Sequence, residues 1–268
     1  MNKVKRTERL AVIGQILTNT PNKIYTLSYF CELFESAKST ISEDIALLAK
    51  TYHKFSLGQI ETVTGALGGV RFRTTNNAQN GKAFLNEICQ MLQDPDRLLP
   101  GDFLYFSDIL SNPIYVNPMG NLIATKYFGE SLDFVLTMET KGIPVAYATA
   151  RALNVPLIIA RRSSKVYEGS AVNINYVSGS GKIENMVLSR RAVKEGQRAL
   201  IVDDFTRGGG TGKGMLTMLK EFNIDVMGIC FVLALEKTQQ EVLPNQHSLM
   251  LLSQQEGCAS VRPADWVK

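Results

Sequence analysis

A chain of 268 residues, 45% apolar and 20% charged, has material for one large or two ordinary globular domains and needs no disulfide staple. Its four cysteines (Cys31, Cys89, Cys230, Cys258) form no C-x-x-C pair, and His53 and His247 stand far apart, which excludes a zinc cluster read from spacing. The net charge of +4 is unevenly spread: residues 1–74 hold ten Lys/Arg against six Asp/Glu, and the remainder holds nineteen of each, the balance of a chain with a polyanion-binding end.

Lys3, Lys5 and Arg6 precede an apolar stretch, Leu10 to Leu17, that Gly14 and Gln15 interrupt and that lacks a small-residue cleavage site. It predicts a helix rather than a signal peptide. No run reaches the roughly 18 apolar residues of a membrane span. The expectation is a cytoplasmic protein with no membrane contact.

Three helices come first. Leu10, Ile13, Ile16 and Leu17 repeat at helical spacing up to Thr20-Pro21, and Leu27, Phe30, Leu33 and Phe34 mark a shorter helix from about Thr26. Ile41, Ile45 and Leu48 form the inner stripe of a third, from about Ser39 to Tyr52, capped by a Thr40–Glu43 box or by Ser39. Gln59–Thr64 and Gly69–Thr74 then predict a hairpin turning at Gly65–Gly68, and Thr75–Gly81 a polar linker or loop.

Helix–helix–helix–hairpin within about 75 residues is the winged helix-turn-helix order, whose third helix offers its N-terminal turn to the major groove of double-stranded DNA. On that turn Lys38, Ser39, Thr40 and Ser42 face away from the apolar stripe, suited to base edges and phosphates. Arg71 and Arg73 alternate with Val70 and Phe72, so both arginines emerge on one face of the wing, to meet phosphates or a minor groove. The same fold also serves protein contacts, and that reading stays open.

From Lys82 helix and strand alternate. Ala83–Leu92 is a helix, Pro95–Gly101 a loop, Met119–Phe128 a helix, Asp133–Met138 a strand, Pro144–Leu153 a helix and Pro156–Arg161 a strand. Ala171–Val177 and Lys182–Leu188 form a hairpin turning at Ser178–Gly181. Ala199–Val202 is a short buried strand, Thr211–Phe222 a helix and Val226–Leu235 a strand. This alternation implies a mostly parallel sheet covered on both faces. The division is 1–74 and 75–268. A basic cluster, Arg190, Arg191, Lys194 and Arg198, reads as a solvated face ahead of a second DNA patch.

The most specific segment runs from Ala199 to Thr211: a hydrophobic strand, Asp203-Asp204, then Phe205-Thr206-Arg207-Gly208-Gly209-Gly210-Thr211 and a helix. Such glycines let backbone N–H groups approach a phosphate, which the helix N-terminus also favours. Two carboxylates beside an anion site repel it unless ribose hydroxyls or hydrated magnesium engage them. The Walker A pattern fails at Arg207 and Gly214, and G-x-G-x-x-G fails at Lys213.

The segment resembles the phosphoribosyl pyrophosphate motif of type I phosphoribosyltransferases. Glu139-Thr140-Lys141-Gly142-Ile143-Pro144 resembles the pyrophosphate loop of the purine-salvage members, and Arg161-Arg162 with Ser163–Leu188 their flexible flap. With the winged helix in front, and with Gly169–Gly179 in the flap, the chain resembles the purine operon repressor family of Gram-positive bacteria. The resemblance implies an α/β protein: a winged helix-turn-helix followed by a type I phosphoribosyltransferase fold. It implies Asp203 and Asp204 on the ribose hydroxyls, Thr206, Arg207 and Gly208–Thr211 on the 5′-phosphate with Phe205 in the same loop, and Thr140, Lys141 and Gly142 on the pyrophosphate. The implied function is repression of purine biosynthesis genes by a homodimer on operator DNA. Phosphoribosyl pyrophosphate, with or without Mg2+, would act as the releasing effector, and guanosine tetraphosphate as a rival for the pocket. The alternative is an active purine phosphoribosyltransferase with an accessory N-terminal domain. No base-specificity segment is recognisable after Val232, which favours the regulator.

Overall fold

A computed structural model describes residues 4–65, 68–74, 78–101, 103–164, 169–178, 181–236, 243, 245–255 and 258–267. Contacts divide the chain into two compact units, Met1–Asn77 with Arg151–Asn154, and Ala78–Ala150 with Val155–Lys268.

In the first unit α1 (Arg6–Asn19), α2 (Leu27–Phe34) and α3 (Lys38–Lys54) precede the antiparallel pair β1 (Gln59–Val63) and β2 (Gly69–Arg73). Tyr25 adds a one-residue bridge to Val70. Thr26 caps α2 by accepting from the Tyr29 N–H at 3.2 Å. The start of α3 departs from expectation: its N-cap is Ala37, with no side-chain cap bond, so neither Thr40 nor Ser39 caps it. Thr40 lies inside the first turn, where its backbone is already helical. Ile13, Leu17, Phe30, Ile41, Ile45, Leu48, Val70 and Phe72 close one core, the apolar stripes meeting as their 3.6-residue period requires. The hairpin turn includes residues 66–67, which lie outside the described residues.

The second unit begins with α4 (Ala78–Leu92). The expected linker is therefore wrong over 78–81: Gly81 is buried within the helix, and 75–77 lie outside the described residues. Instead of a loop, 95–101 holds a 3-10 turn (Pro95–Arg97) and β3 (Leu98–Leu99), which pairs with β4 (Phe103–Leu104). After the short α5 (Ser107–Leu110), α6 runs over Pro113–Tyr127, longer than Met119–Phe128, because the Asn112 side chain caps it at 3.0 Å and Pro113 occupies its first position.

The central sheet comprises β5 (Phe134–Met138), β6 (Leu157–Ala160), β9 (Arg198–Thr206), β10 (Asp225–Leu235), β11 (Gln246–Gln255) and β12 (Cys258–Pro263). Its order is β12-β11-β10-β9-β5-β6, parallel except for the β11–β12 pair. Helix α7 (Ile143–Leu153) joins β5 to β6, and α8 (Gly210–Lys220) joins β9 to β10. Leu136, Ile201 and Phe231 enter a core with Met215, Met218 and Leu219 of α8. Side chains one residue out of step point to the opposite face, where Cys230 Sγ lies 3.5 Å from Tyr127 Oη of α6.

Hairpin β7 (Ala171–Val177) and β8 (Ile183–Ser189) is fully paired, with Tyr176, Met186 and Leu188 in the same core as α8. The base of the expected flap is thus packed structure; the turn at 179–180 and the preceding 165–168 lie outside the described residues. Among the described residues no helix is long and apolar enough to cross a membrane, and no three His, Cys, Asp or Glu side chains group as a metal site.

Candidate functional site

The sheet order dictates where a ligand crevice falls. The chain leaves β5 towards β6 on one side, then crosses back to β9 and continues through β10 and β11 on the other. Connections diverge at the carboxyl ends of β5 and β9, the switch point at which open α/β sheets bind ligands. Both phosphate-loop candidates sit there: 139–142 follows β5, and 203–211 ends β9 and enters α8.

The acids lie within β9, not after it as expected. Asp203 faces Phe231 and Phe205 faces Leu233 across the β9–β10 ladder, so β10 extends the strand to Thr206. Strand β5 pairs with β9 only as far as Leu136–Ile201, which leaves the other edge of Asp203 and Asp204 open to the crevice. Loop 139–142 fills it closely: a β-carbon on Gly142 would collide with Asp203 Oδ1 and stand 2.6 Å from Thr137 Oγ1. The two loops, 61 residues apart in sequence, meet here.

Asp203 is buried, and its Oδ1 accepts the Asp204 N–H at 3.0 Å. Burial and the adjacent Asp204 charge hold its carboxyl well above the usual aspartate range. Burial raises Asp204 too, opposed by hydrogen bonds and by the Lys141 ammonium. A buried acid pair of this kind suits hydroxyl donors or a hydrated divalent cation. The same two carboxylates, with oxygens of a phosphorylated ligand, would hold Mg2+, which would supply charge neutralisation.

Thr206 is buried and its hydroxyl oxygen accepts the Gly209 N–H at 3.1 Å, which leaves its own proton to donate. Gly209 takes φ +69° at the N-cap of α8, without a side-chain cap. That left-handed turn leaves the first-turn N–H groups of α8 facing the loop. A cavity of about 240 Å³ lies over it, lined by Phe103, Phe205, Thr206, Arg207, Gly208, Gly209, Gly210 and Thr211. An adjoining one of about 120 Å³ reaches Lys141, Asp204 and Phe106. Thr140 and Lys141 are exposed. The sequence reading missed Phe103 and Phe106, on and after β4: the Arg207 guanidinium stacks 5.2 Å over the Phe103 ring, and Phe106 meets Phe205 edge-on at 6.3 Å. Nothing in the spacing of 103–106 signals this.

The pyrophosphate-type loop is tied to the hairpin. Glu139 Oε1 accepts the Arg162 N–H at 2.6 Å, Arg162 pairs with Glu184 of β8, and Tyr176 Oη donates to Glu184 at 3.1 Å. Of the basic cluster, Arg190, Arg191 and Lys194 are exposed, while Arg198 bonds Glu130 at 3.2 Å.

In the first unit Lys38, Ser39 and Ser42 are exposed at the start of α3. Half-buried Thr40 lines a cleft of about 500 Å³ with Lys5, Arg6, Arg9 and Ser36. Beneath it Asp44, 1% exposed, binds Arg6 at 2.9 Å and the buried Arg9 at 2.7 Å. Asp44 shares the Ile41–Ile45–Leu48 stripe, so a carboxylate at an apolar position was the available signal. Arg71 and Arg73 emerge on one face of the wing, as expected, and both bind Glu61 of β1, at 3.1 and 3.2 Å.

Residues 5–74 match the family described as the N-terminal domain of the bacterial purine repressor, and residues 107–266 match the phosphoribosyl transferase domain. The probable purine biosynthesis transcriptional regulator of Streptococcus pneumoniae is 44% identical over 85% of this chain and 83% of its own. The purine biosynthesis transcriptional repressor of Bacillus subtilis is 40% identical over 94% and 88%. The purine biosynthesis transcriptional activator of Lactococcus lactis is 41% identical over 86% and 85%. Among solved structures, adenine phosphoribosyltransferase from Thermoanaerobacter pseudethanolicus aligns with a TM-score of 0.53 at 22% identity, over 63% of this chain and 99% of its own, a likeness of fold.

Proposed function

This chain belongs to the purine repressor family of bacterial transcriptional regulators, and from that we propose that it represses purine biosynthesis genes and is released from DNA by phosphoribosyl pyrophosphate. It is a DNA-binding regulator of purine biosynthesis, acting in the cytoplasm with the DNA. Lys38, Ser39, Thr40 and Ser42 of α3 read the operator, and the wing with Arg71 and Arg73 meets its backbone. Two copies engage paired half-sites as a homodimer.

The observation that carries the effector reading is the meeting of Gly142 with Asp203 at the switch point. It joins an acid pair suited to ribose hydroxyls, a phosphate-type loop with an uncapped helix N-terminus, and a second loop bearing Thr140 and Lys141. One ligand with a 5′-phosphate, a ribose and a pyrophosphate matches all three, with Mg2+ as companion. Release follows from linkage: an effector that prefers the DNA-incompetent state weakens DNA binding by its differential affinity and no more. Guanosine tetraphosphate, with two diphosphates, competes for the same crevice.

A gel shift on DNA from upstream of purine genes tests this directly. The band should form without effector and disappear as phosphoribosyl pyrophosphate is added; binding that ignores the effector would refute the sensor. The Lactococcus lactis relative is named an activator, so an effector-dependent gain of transcription on the same DNA is the second reading, separated from repression by a reporter. We further propose that the crevice senses without transferring. With phosphoribosyl pyrophosphate, magnesium and each common purine base, pyrophosphate should stay at background, whereas sustained base-dependent release would make the protein an enzyme.

A further inference from the structure

The wing presents an electrostatic contradiction. Strand β1 places Glu61 directly across from Arg71 in the β-ladder, with Arg73 two residues along the same face. Ile60, Val70 and Phe72 point the other way, into the core. The Glu61 carboxylate divides its oxygens between the two arginines, Oε2 to Arg71 Nε at 3.1 Å and Oε1 to Arg73 Nη1 at 3.2 Å. Arg73 Nε also donates to Asn22 Oδ1 at 3.4 Å. All three charged side chains remain about one-fifth exposed. The face therefore carries one net positive charge rather than two.

A carboxylate whose two oxygens each receive a guanidinium N–H occupies the donors that a phosphodiester's two free oxygens would take. We propose that Glu61 is a built-in competitor for the DNA backbone: its carboxylate holds Arg71 and Arg73 together, and the wing engages DNA by exchanging that carboxylate for a phosphate. This rests on the DNA-binding reading of the first unit. An exchange of this kind has one consequence. Backbone binding at the wing is weaker than two arginines alone would give, which lowers affinity for every sequence alike. The salt dependence is left as it is, since each phosphate neutralised contributes about −0.9 to the slope of log K against log salt and the exchange does not alter how many phosphates the two arginines neutralise.

The test is Glu61→Gln, which keeps shape and removes charge, titrated by fluorescence anisotropy against purine-upstream and random-sequence DNA over a range of salt. Affinity for both DNAs should rise about three- to tenfold, with the salt slope kept because the same phosphates are neutralised. In an Arg71→Ala/Arg73→Ala background the same substitution should leave both affinities unchanged. Heat unfolding confirms the fold, and Glu61→Ala gives the same comparison should the glutamine variant unfold. Unchanged or weaker binding by a folded variant, or an equal effect with both arginines absent, would overturn the competitor role. Wild-type protein that binds neither DNA would instead overturn the DNA-binding reading itself.

Discussion

Gly142 and Asp203 are packed so closely that a β-carbon on the glycine would collide with the aspartate's Oδ1. Two loops from different strands are thereby held at one point, and the glycine is what permits it. Gly142→Ala must displace the loop, Asp203 or both, and overpacking of this kind costs about 1–3 kcal/mol. Taken out of the ligand-competent arrangement, that is a loss of about 5- to 150-fold in affinity for phosphoribosyl pyrophosphate. Calorimetric titration should show it, while operator affinity without effector stays at the wild-type value.

Asp203→Asn with Asp204→Asn preserves volume but replaces both carboxyls of the proposed ribose site with amides. Charge-assisted hydrogen bonds contribute about 1.5–3 kcal/mol each, so effector affinity should fall by one to a few decades. Neither residue belongs to the first unit. The double variant should hold its operator at effector concentrations that strip the wild type. Release of both proteins at the same concentration, read by anisotropy, would remove this pair from the sensor.

Acidity provides an independent check. Burial and the Asp204 charge raise Asp203 above its ordinary range, so the folded protein holds this proton to higher pH than the unfolded chain does. Its favourable contribution is complete below the unfolded pKa, about 3.9, and is lost as pH rises through the raised native value. Above the unfolded pKa, burying this carboxyl therefore opposes folding. Asp203→Asn alone should raise the melting temperature of the ligand-free protein at pH 7, with a gain that shrinks as pH is lowered towards 4. A gain independent of pH would contradict this origin.

In the first unit the buried anchor is Asp44. Asp44→Ala leaves Arg9 enclosed without its carboxylate partner, and breaking a buried pair from one side costs about 3–5 kcal/mol. Operator binding should fail at a lower temperature than in the wild type. Trp266, the sole tryptophan of the chain, lies in the second unit, and its fluorescence should report an unchanged melt there.

Much of the fold was legible because its signals are local. The stripe Ile41–Ile45–Leu48, the hairpin alternation of β2 and the apolar strand before Asp203-Asp204 each follow from one element's own period. Boundaries were less so. Helix α4 starts inside a polar stretch because tertiary burial of Gly81 overrides its composition. Strand β9 runs on through its acids because β10 continues beside it. Strands β11 and β12 of the tail are not legible in the sequence, since the partners that make them strands lie 17 residues back in β10 or in each other.

The site divides the same way. By itself the amino-acid sequence determined where the glycine-rich loop and the acid pair lie and which end of the chain is basic, because donor type, charge and glycine content are properties of single residues and short spacings. Only the tertiary structure decided that Gly142 meets Asp203, that Phe103 and Arg207 share one cavity and that Glu61 already occupies the wing arginines. These are contacts between segments far apart in the chain or across a β-ladder, and they depend on strand order and register, which no local period encodes.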